Sequence, residues 1–172
     1  LDAWFDRSQT QALIVQKEGH IVYQRYSSDA EDGRNINAMS MAKAIIAILV
    51  GIAIDDGFIN SEYDAVSYYL PQIAEHAGDA VTLRDLLRHT SGIEAASKDI
   101  RATLKGDPLV TPLSEIAFKG DRSFSYNNIN YHLLSLVLTE IYKKPLNQLI
   151  DDKLWKPLGL ESASIINTAG YC

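Results

Sequence analysis

The chain has 172 residues, with 16 Lys and Arg against 22 Asp and Glu, a formal net charge of -6, 47% hydrophobic residues and one cysteine. That length and composition exclude a disordered, fibrous or collagen-like chain and fit one globular domain or a large part of one, able to bury roughly two-thirds of its unfolded surface without staples. A lone Cys172 excludes an intrachain disulfide, a cysteine-rich zinc finger and an iron–sulfur site, and an acidic chain without a Lys/Arg cluster lacks the basic footprint of a nucleic-acid or anionic-membrane surface, leaving a small molecule or another protein as partner.

The first elements are extended. Residues 11–17 and 21–26 are rich in aliphatic, aromatic and β-branched side chains, and Glu18-Gly19-His20 between them supplies turn chemistry, which predicts a β-hairpin. Residues 27–37 are polar, with Asp29, Glu31, Asp32, Gly33 and Asn35, and read as a surface loop. From Ser40 to Asp56 the pattern becomes helical and apolar on every face, with Asp55-Asp56-Gly57 as a stop, so this helix is expected to be central. Its longest apolar run, residues 44–54, falls well short of the ~20 residues that span a bilayer.

Beyond it the signals are helical and punctuated. Ser61 with Asp64, and Thr82 with Asp85, each place a capping oxygen three residues before an acid, as at a helix start. Pro71, Ser91-Gly92 and Pro112 mark breaks, with Thr111-Pro112 matching an N-cap followed by proline at the first helical position. A last long helix is predicted from about Asn130 to Lys144, with Leu133, Leu134, Val137 and Ile141 on one stripe and Pro145 at its end. A lone hairpin is marginal, so it either packs on the central helix or belongs to a sheet completed beyond residue 172. The chain opens at Leu1 without a signal-peptide pattern, and residues 165–172 look cut in mid-course; both ends read as processing boundaries.

Two segments carry chemistry. Ser40-Met41-Ala42-Lys43 sets a hydroxyl at a helix start and an amine three residues on, so both side chains rise on one face about 5–6 Å apart at Cβ. A helix N-terminus favours negative charge on the Ser40 oxygen and offers free N–H groups as oxyanion donors. In apolar surroundings a lysine loses its charge more readily, so Lys43 would serve as a base near neutral pH: the logic of a Ser–Lys nucleophile. A Ser-x-x-Lys match is expected about 0.7 times by chance at this composition, and a serine N-cap beside a lysine bent to water accounts for the same residues. The second segment, Phe124-Ser125-Tyr126-Asn127-Asn128, is a polar loop before the last helix that could project a tyrosine hydroxyl and an amide into a cleft. Tyr126 is an acid/base candidate if a cation such as Lys43 favours its phenolate; an asparagine helix cap beside a half-buried tyrosine is the plainer alternative.

His20, His76, His89 and His132 are scattered without a His-x-x-x-His pair, which argues against a metal, and His89 reads as part of a helix end before the Ser91-Gly92 turn. No nucleophile-elbow, Walker or dinucleotide fingerprint occurs, and no cofactor is expected.

Taken in order, Ser40-Met41-Ala42-Lys43, Asp56-Gly57-Phe58-Ile59, Thr82-Leu83-Arg84-Asp85-Leu86-Leu87-Arg88-His89-Thr90-Ser91-Gly92-Ile93, Tyr126-Asn127-Asn128 and Lys156-Pro157-Leu158-Gly159-Leu160 resemble the serine β-lactamase and penicillin-binding-protein-like hydrolases. The resemblance is to the class C-related branch, with its esterases and DD-peptidases, and the Ser-Met-Ala-Lys form looks most like the 6-aminohexanoate-dimer hydrolases. It implies an α+β fold, an antiparallel sheet flanked by helices with a mostly helical subdomain. Residues 1–58 would form the hairpin and central nucleophile helix of the α/β part, and residues 59–172 the helical subdomain with the tyrosine loop. It also implies Ser40 as the acylated nucleophile, Lys43 as its proton-handling partner, Tyr126 as general acid/base, and Asn128 as a hydrogen-bond partner of substrate and Lys43. The substrate would be a small amide or ester, and the compartment the periplasm, cell envelope or exterior.

The family's third motif, Lys-Thr-Gly or His/Trp-x-Gly on a late strand, has no counterpart: Asn167-Thr168-Ala169-Gly170 comes too early. That strand would supply a second oxyanion donor, worth about 3–4 kcal/mol of transition-state stabilisation. The chain therefore reads as the N-terminal portion of such an enzyme, with a second chain or C-terminal fragment completing it. A catalytically inert relative that binds peptide or cell-wall fragments is the alternative function.

Overall fold

Glu18 and Gly19 both adopt positive φ, 52° and 81°, the backbone of a two-residue hairpin turn whose twist matches that of its strands. They join β1 (Ala12–Lys17) to β2 (His20–Tyr26), antiparallel with Lys17 opposite His20 and a register shift between Val15 and Gln16. A computed structural model of the chain describes residues 1–31, 38–95 and 116–160. The Thr111-Pro112 helix start, residues 32–37 of the expected loop, and the 165–172 segment with Cys172 lie outside the described residues.

The chain divides into two compact units, Leu1–Met39 and Ser40–Cys172. In the first, α1 (Asp2–Arg7) precedes the hairpin and is tied to β2: Tyr23 donates to Asp2 at 2.7 Å, Arg25 pairs with Asp6 at 2.6 Å, and its guanidinium lies 4.7 Å from the Phe5 ring centre. This six-residue helix has too few turns for an apolar period, so the sequence carries no signal for it. A helical turn, α2 (Ser28–Glu31), opens what the composition suggests is loop.

A 3-10 turn, Met39–Met41, at the boundary leads into α3 (Ala42–Asp55) of the second unit. This helix buries Ile46, Leu49, Val50 and Ala53, while Ala44, Ile48 and Gly51 form an exposed stripe, with Ile48 52% exposed. The expectation of burial on every face is thus corrected: α3 lends one face to the core. The central helix is instead α6 (Asn128–Tyr142), which buries Ile129, Asn130 and every residue from His132 to Leu138. It begins two residues earlier than predicted because Asn127 caps it, accepting the Ile129 N–H at 3.1 Å, and it ends on Lys143 in the left-handed conformation before Pro145.

Between them, α4 (Ala74–Ala77) and α5 (Leu83–Leu87) are short. Thr82 and Asp85 form the predicted capping box: the Asp85 N–H donates to Thr82 Oγ1 at 3.2 Å and the Thr82 N–H to Asp85 Oδ2 at 2.9 Å. Ser61 and Asp64 make a turn rather than a helix start, because the chain next goes extended and Ala65 pairs with Thr82. A short antiparallel pair, β3 (Ile93–Ala95) and β4 (Ile116–Phe118), is too brief for the alternation rule to detect. Gly92 makes their approach possible: at φ 67°, a Cβ there would meet the Asp121 carbonyl oxygen at 2.8 Å. After α6, α7 (Leu146–Ile150), a π-helical turn (Asp151–Trp155) and α8 (Lys156–Leu158) follow.

One apolar cluster joins α3, α5, β3, β4, α6 and α7, drawing Ile46, Leu49, Leu86, Leu133, Leu136 and Leu149 together. In the intact protein Leu136→Ala is expected to lower unfolding stability by about 2–5 kcal/mol, because a fully buried methylene cluster is replaced by a cavity. Urea unfolding should show an earlier midpoint at unchanged slope; a loss below ~1 kcal/mol would place the core elsewhere.

Candidate active site

The 3-10 turn before α3 projects the Ser40 hydroxyl outward, and two side chains meet it. Lys43 Nζ, one turn along, donates to Ser40 Oγ at 3.2 Å, and the Tyr126 hydroxyl, 86 residues away in sequence, donates to the same oxygen at 2.8 Å. Lys43 also donates to Asn128 Oδ1 at 2.8 Å. All four side chains singled out from the sequence are therefore gathered around one hydroxyl.

The plainer readings are corrected in part. The cap position of α3 is Met41, with no side-chain cap bond, so Ser40 is not spent as a helix cap. Lys43 does not lie in apolar surroundings either. It is half-buried, with hydroxyl and amide oxygens as partners and the rings of Tyr126 and Tyr131 at 5.1 and 5.9 Å from its Nζ. The asparagine cap does exist, one residue before Asn128, so that Asn127 starts the helix while Asn128 faces Lys43.

Electrostatics separate the two tyrosines beside Lys43. The Lys43 ammonium and the hydrogen bond with Ser40 hold the Tyr126 phenol below its usual range. Burial, and then the neighbouring Tyr126, push Tyr131 upward, and its hydroxyl donates to the Leu87 carbonyl at 3.1 Å. Tyr126 is 54% exposed.

Beneath Tyr126 lies a layer that sequence reasoning assigned to a helix end. The His89 ring centre is 4.6 Å from that of Tyr126 and 5.2 Å from that of Tyr131, tilted by 37° and 38°. The Asn127 backbone N–H donates to His89 Nδ1 at 3.2 Å, and the Ser125 N–H to the His89 carbonyl at 2.9 Å. Ser91 and Asn130, both buried, are bonded to each other at 2.7 Å, and Asn127 Nδ2 donates to the Ile93 carbonyl at 3.1 Å. The signal available in the sequence is the Thr82 to Ile93 run itself, which carries part of the family resemblance but no assigned role in the site. Among the described residues no group of three or more His, Cys, Asp or Glu gathers as a metal site, and no helix is long and apolar enough to cross a membrane.

The chain belongs to the Beta-lactamase family, which residues 2–169 match. It is 29% identical over 136 residues to "Putative penicillin-binding protein PbpX" of Bacillus subtilis (strain 168), a match covering 75% of this chain and 32% of that protein. Its backbone resembles "Putative 6-aminohexanoate-dimer hydrolase from Bacillus anthracis", with a TM-score of 0.74, 20% identity, and 90% of this chain and 46% of that one covered. It also resembles a class C beta lactamase from Rhodobacter sphaeroides, with a TM-score of 0.72, 22% identity, and coverage of 94% and 48%. The fold is thus β-lactamase/transpeptidase-like, and the chain spans 32% of that curated relative's length and about half of each solved structure.

The order of tyrosine ionisation follows from these surroundings. Since Tyr126 is held below the usual phenol value while Tyr131 and Tyr142 are raised and Tyr69 is pushed up to about 12, Tyr126 should form phenolate before those three as pH rises. Ultraviolet difference titration of the intact protein should show an early phenolate step that Tyr126→Phe or Lys43→Met removes. An early step surviving Tyr126→Phe would assign it to another tyrosine.

Proposed function

We propose that the chain carries the nucleophilic half of a serine hydrolase that cleaves small amide or ester substrates through an acyl-enzyme on Ser40. The observation that carries this reading is the convergence of Lys43 Nζ and the Tyr126 hydroxyl on Ser40 Oγ, at 3.2 and 2.8 Å. Two groups able to handle a proton within hydrogen-bond reach of one hydroxyl make the arrangement of an activated nucleophile.

The steps follow from that geometry. Tyr126, ionised with Lys43 beside it as counter-charge, takes the Ser40 proton as Oγ attacks the carbonyl carbon. The carbonyl oxygen becomes an oxyanion, for which the Ser40 backbone N–H at the helix start is the donor on this chain. Tyr126 then returns the proton to the leaving amine or alcohol, the tetrahedral adduct collapses, and the acyl group remains on Ser40. Water attacks the ester in turn, giving its proton to the Tyr126 phenolate, and Ser40 regains its own. Asn128, its Oδ1 held by Lys43, keeps its amide N–H groups as donors to offer the substrate. No glutamate is needed for deacylation, since Tyr126 serves both half-reactions. The division into an α/β part over residues 1–58 and a helical subdomain over 59–172 belongs to this reading of the whole enzyme.

Intact-mass spectrometry after exposure to a fluorophosphonate, and separately to a penicillin, tests the proposal. One adduct mapping to Ser40 is expected, absent in Ser40→Ala. Tyr126→Phe should slow its formation by roughly 10²–10⁴-fold, the usual worth of a positioned general base. No adduct on the intact protein would favour a family member that binds peptide or cell-wall fragments without turning them over.

A further inference from the structure

His89 occupies a position where its side chain costs the backbone something. It follows the C-cap of α5, at φ 57°, with its own N–H bonded to the Leu86 carbonyl at 3.2 Å and the Thr90 N–H to the Asp85 carbonyl at 2.9 Å. This is the pattern that closes a helix through a left-handed residue, almost always glycine and sometimes asparagine. A histidine in the strained place of a glycine directs attention to what its ring does. The ring is buried, the residue being only 7% exposed, and it forms the floor on which the Tyr126 ring lies.

The hydrogen bonds around it leave only one orientation. The Ile93 N–H donates to Ser91 Oγ at 3.1 Å, and the Ser91 hydroxyl donates to Asn130 Oδ1 at 2.7 Å. That fixes the Asn130 amide with its Nδ2 toward His89 Nδ1, at 3.2 Å. The Asn127 N–H aims at the same nitrogen, also at 3.2 Å. Two donors converge on Nδ1, so the ring must be neutral with its proton on Nε2. The titratable groups facing it are the Lys43 ammonium, Tyr126 and Tyr131. Burial and the Lys43 charge both hold its pKa below the usual histidine range.

The geometry points to His89 as the positioning residue of the tyrosine loop, gripping Asn127 through unprotonated Nδ1 so that Tyr126 and Asn128 on either side are held toward Ser40 and Lys43. Protonation would put an N–H against two N–H donors and a second cation beside Lys43, which releases the loop at acid pH. Its effect on catalysis rests on the hydrolase reading above; the contact with Asn127 does not.

The test uses the intact protein and two variants that the left-handed backbone accepts. His89→Asn presents an oxygen near the place of Nδ1 but does not titrate; His89→Gly frees the backbone and removes the ring. Fluorophosphonate labelling of Ser40 is followed against pH, alongside the Asn127 backbone amide resonance. In the unsubstituted protein the amide should move through one midpoint below neutral pH, with an acid-side loss of labelling at that midpoint. His89→Asn should label within about tenfold of the unsubstituted protein at neutral pH and lack that acid step, while His89→Gly should label roughly 100-fold more slowly, the scale of a small misplacement of a reacting group. Unslowed labelling by His89→Gly, or an acid step persisting in His89→Asn, overturns the inference; if the glycine variant fails to fold, the asparagine profile decides. If Ser40 takes no label at all, the hydrolase reading fails separately. The amide then decides: a midpoint abolished by His89→Asn upholds the grip, and a pH-invariant amide overturns it.

Discussion

The site depends on the packing of α3 against α6. Ser40 and Lys43 are brought together by a single helical turn, but Tyr126 and Asn128 arrive from about 85 residues further along, and nothing local can hold them at hydrogen-bond distance. What holds them is a shared core: Ile46, Leu49, Val50 and Ala53 from α3 lie in the same apolar cluster as Leu133, Leu134 and Val137 from α6. The helix starts thereby come side by side, and Lys43 Nζ bonded to Asn128 Oδ1 at 2.8 Å joins them at the surface of that core. An exposed polar contact of this kind contributes little stability by itself; the apolar packing supplies the energy and the polar groups supply the aim.

The sequence made the parts of this arrangement legible to different degrees. The hairpin could be read because Glu18-Gly19 sits between two β-rich runs, and the capping box because Thr82 and Asp85 interact across three residues. The same spacing misled at Ser61 and Asp64, where pairing of Ala65 with Thr82 overrides the local preference. Apolar content alone could not tell which helix is central: α3 is apolar from Ala44 to Ile54 yet exposes Ala44, Ile48 and Gly51, whereas α6 buries polar Asn130, His132 and Ser135. Burial of polar groups is set by partners far along the chain, and no periodicity records those.

The four candidate residues were legible through motif and resemblance: helix geometry argues the meeting of Ser40 and Lys43 within one turn, and the approach of Tyr126 and Asn128 to Lys43 was an expectation resting chiefly on the resemblance. The layer below them was not legible, for a physical reason. His89, Ser91, Asn127 and Asn130 are all residue types that commonly cap helices and fill turns, and Asn127 does cap α6. Their second role appears only when the end of α5 and the start of α6 are superposed, so that one nitrogen receives donors from both Asn127 and Asn130. A residue acting through a long-range hydrogen bond leaves no local pattern except an anomaly, and here the anomaly is a backbone torsion that the sequence does not display.

That layer also bears on how three rings close to one ammonium come to differ. Tyr126, Tyr131 and His89 stack around Lys43, and a charge equally near each would lower all three. Tyr131 is instead raised, because its hydroxyl is turned inward to the Leu87 carbonyl and burial penalises its phenolate. His89 is lowered by burial and by the Lys43 charge, which disfavours a second cation there. Only Tyr126 combines exposure, the Lys43 charge and a hydroxyl partner, and only its phenolate is favoured. Neighbouring groups whose proton affinities are driven apart divide the labour of proton transfer. Of the three rings, only that of Tyr126 is both exposed and bonded through its hydroxyl to Ser40.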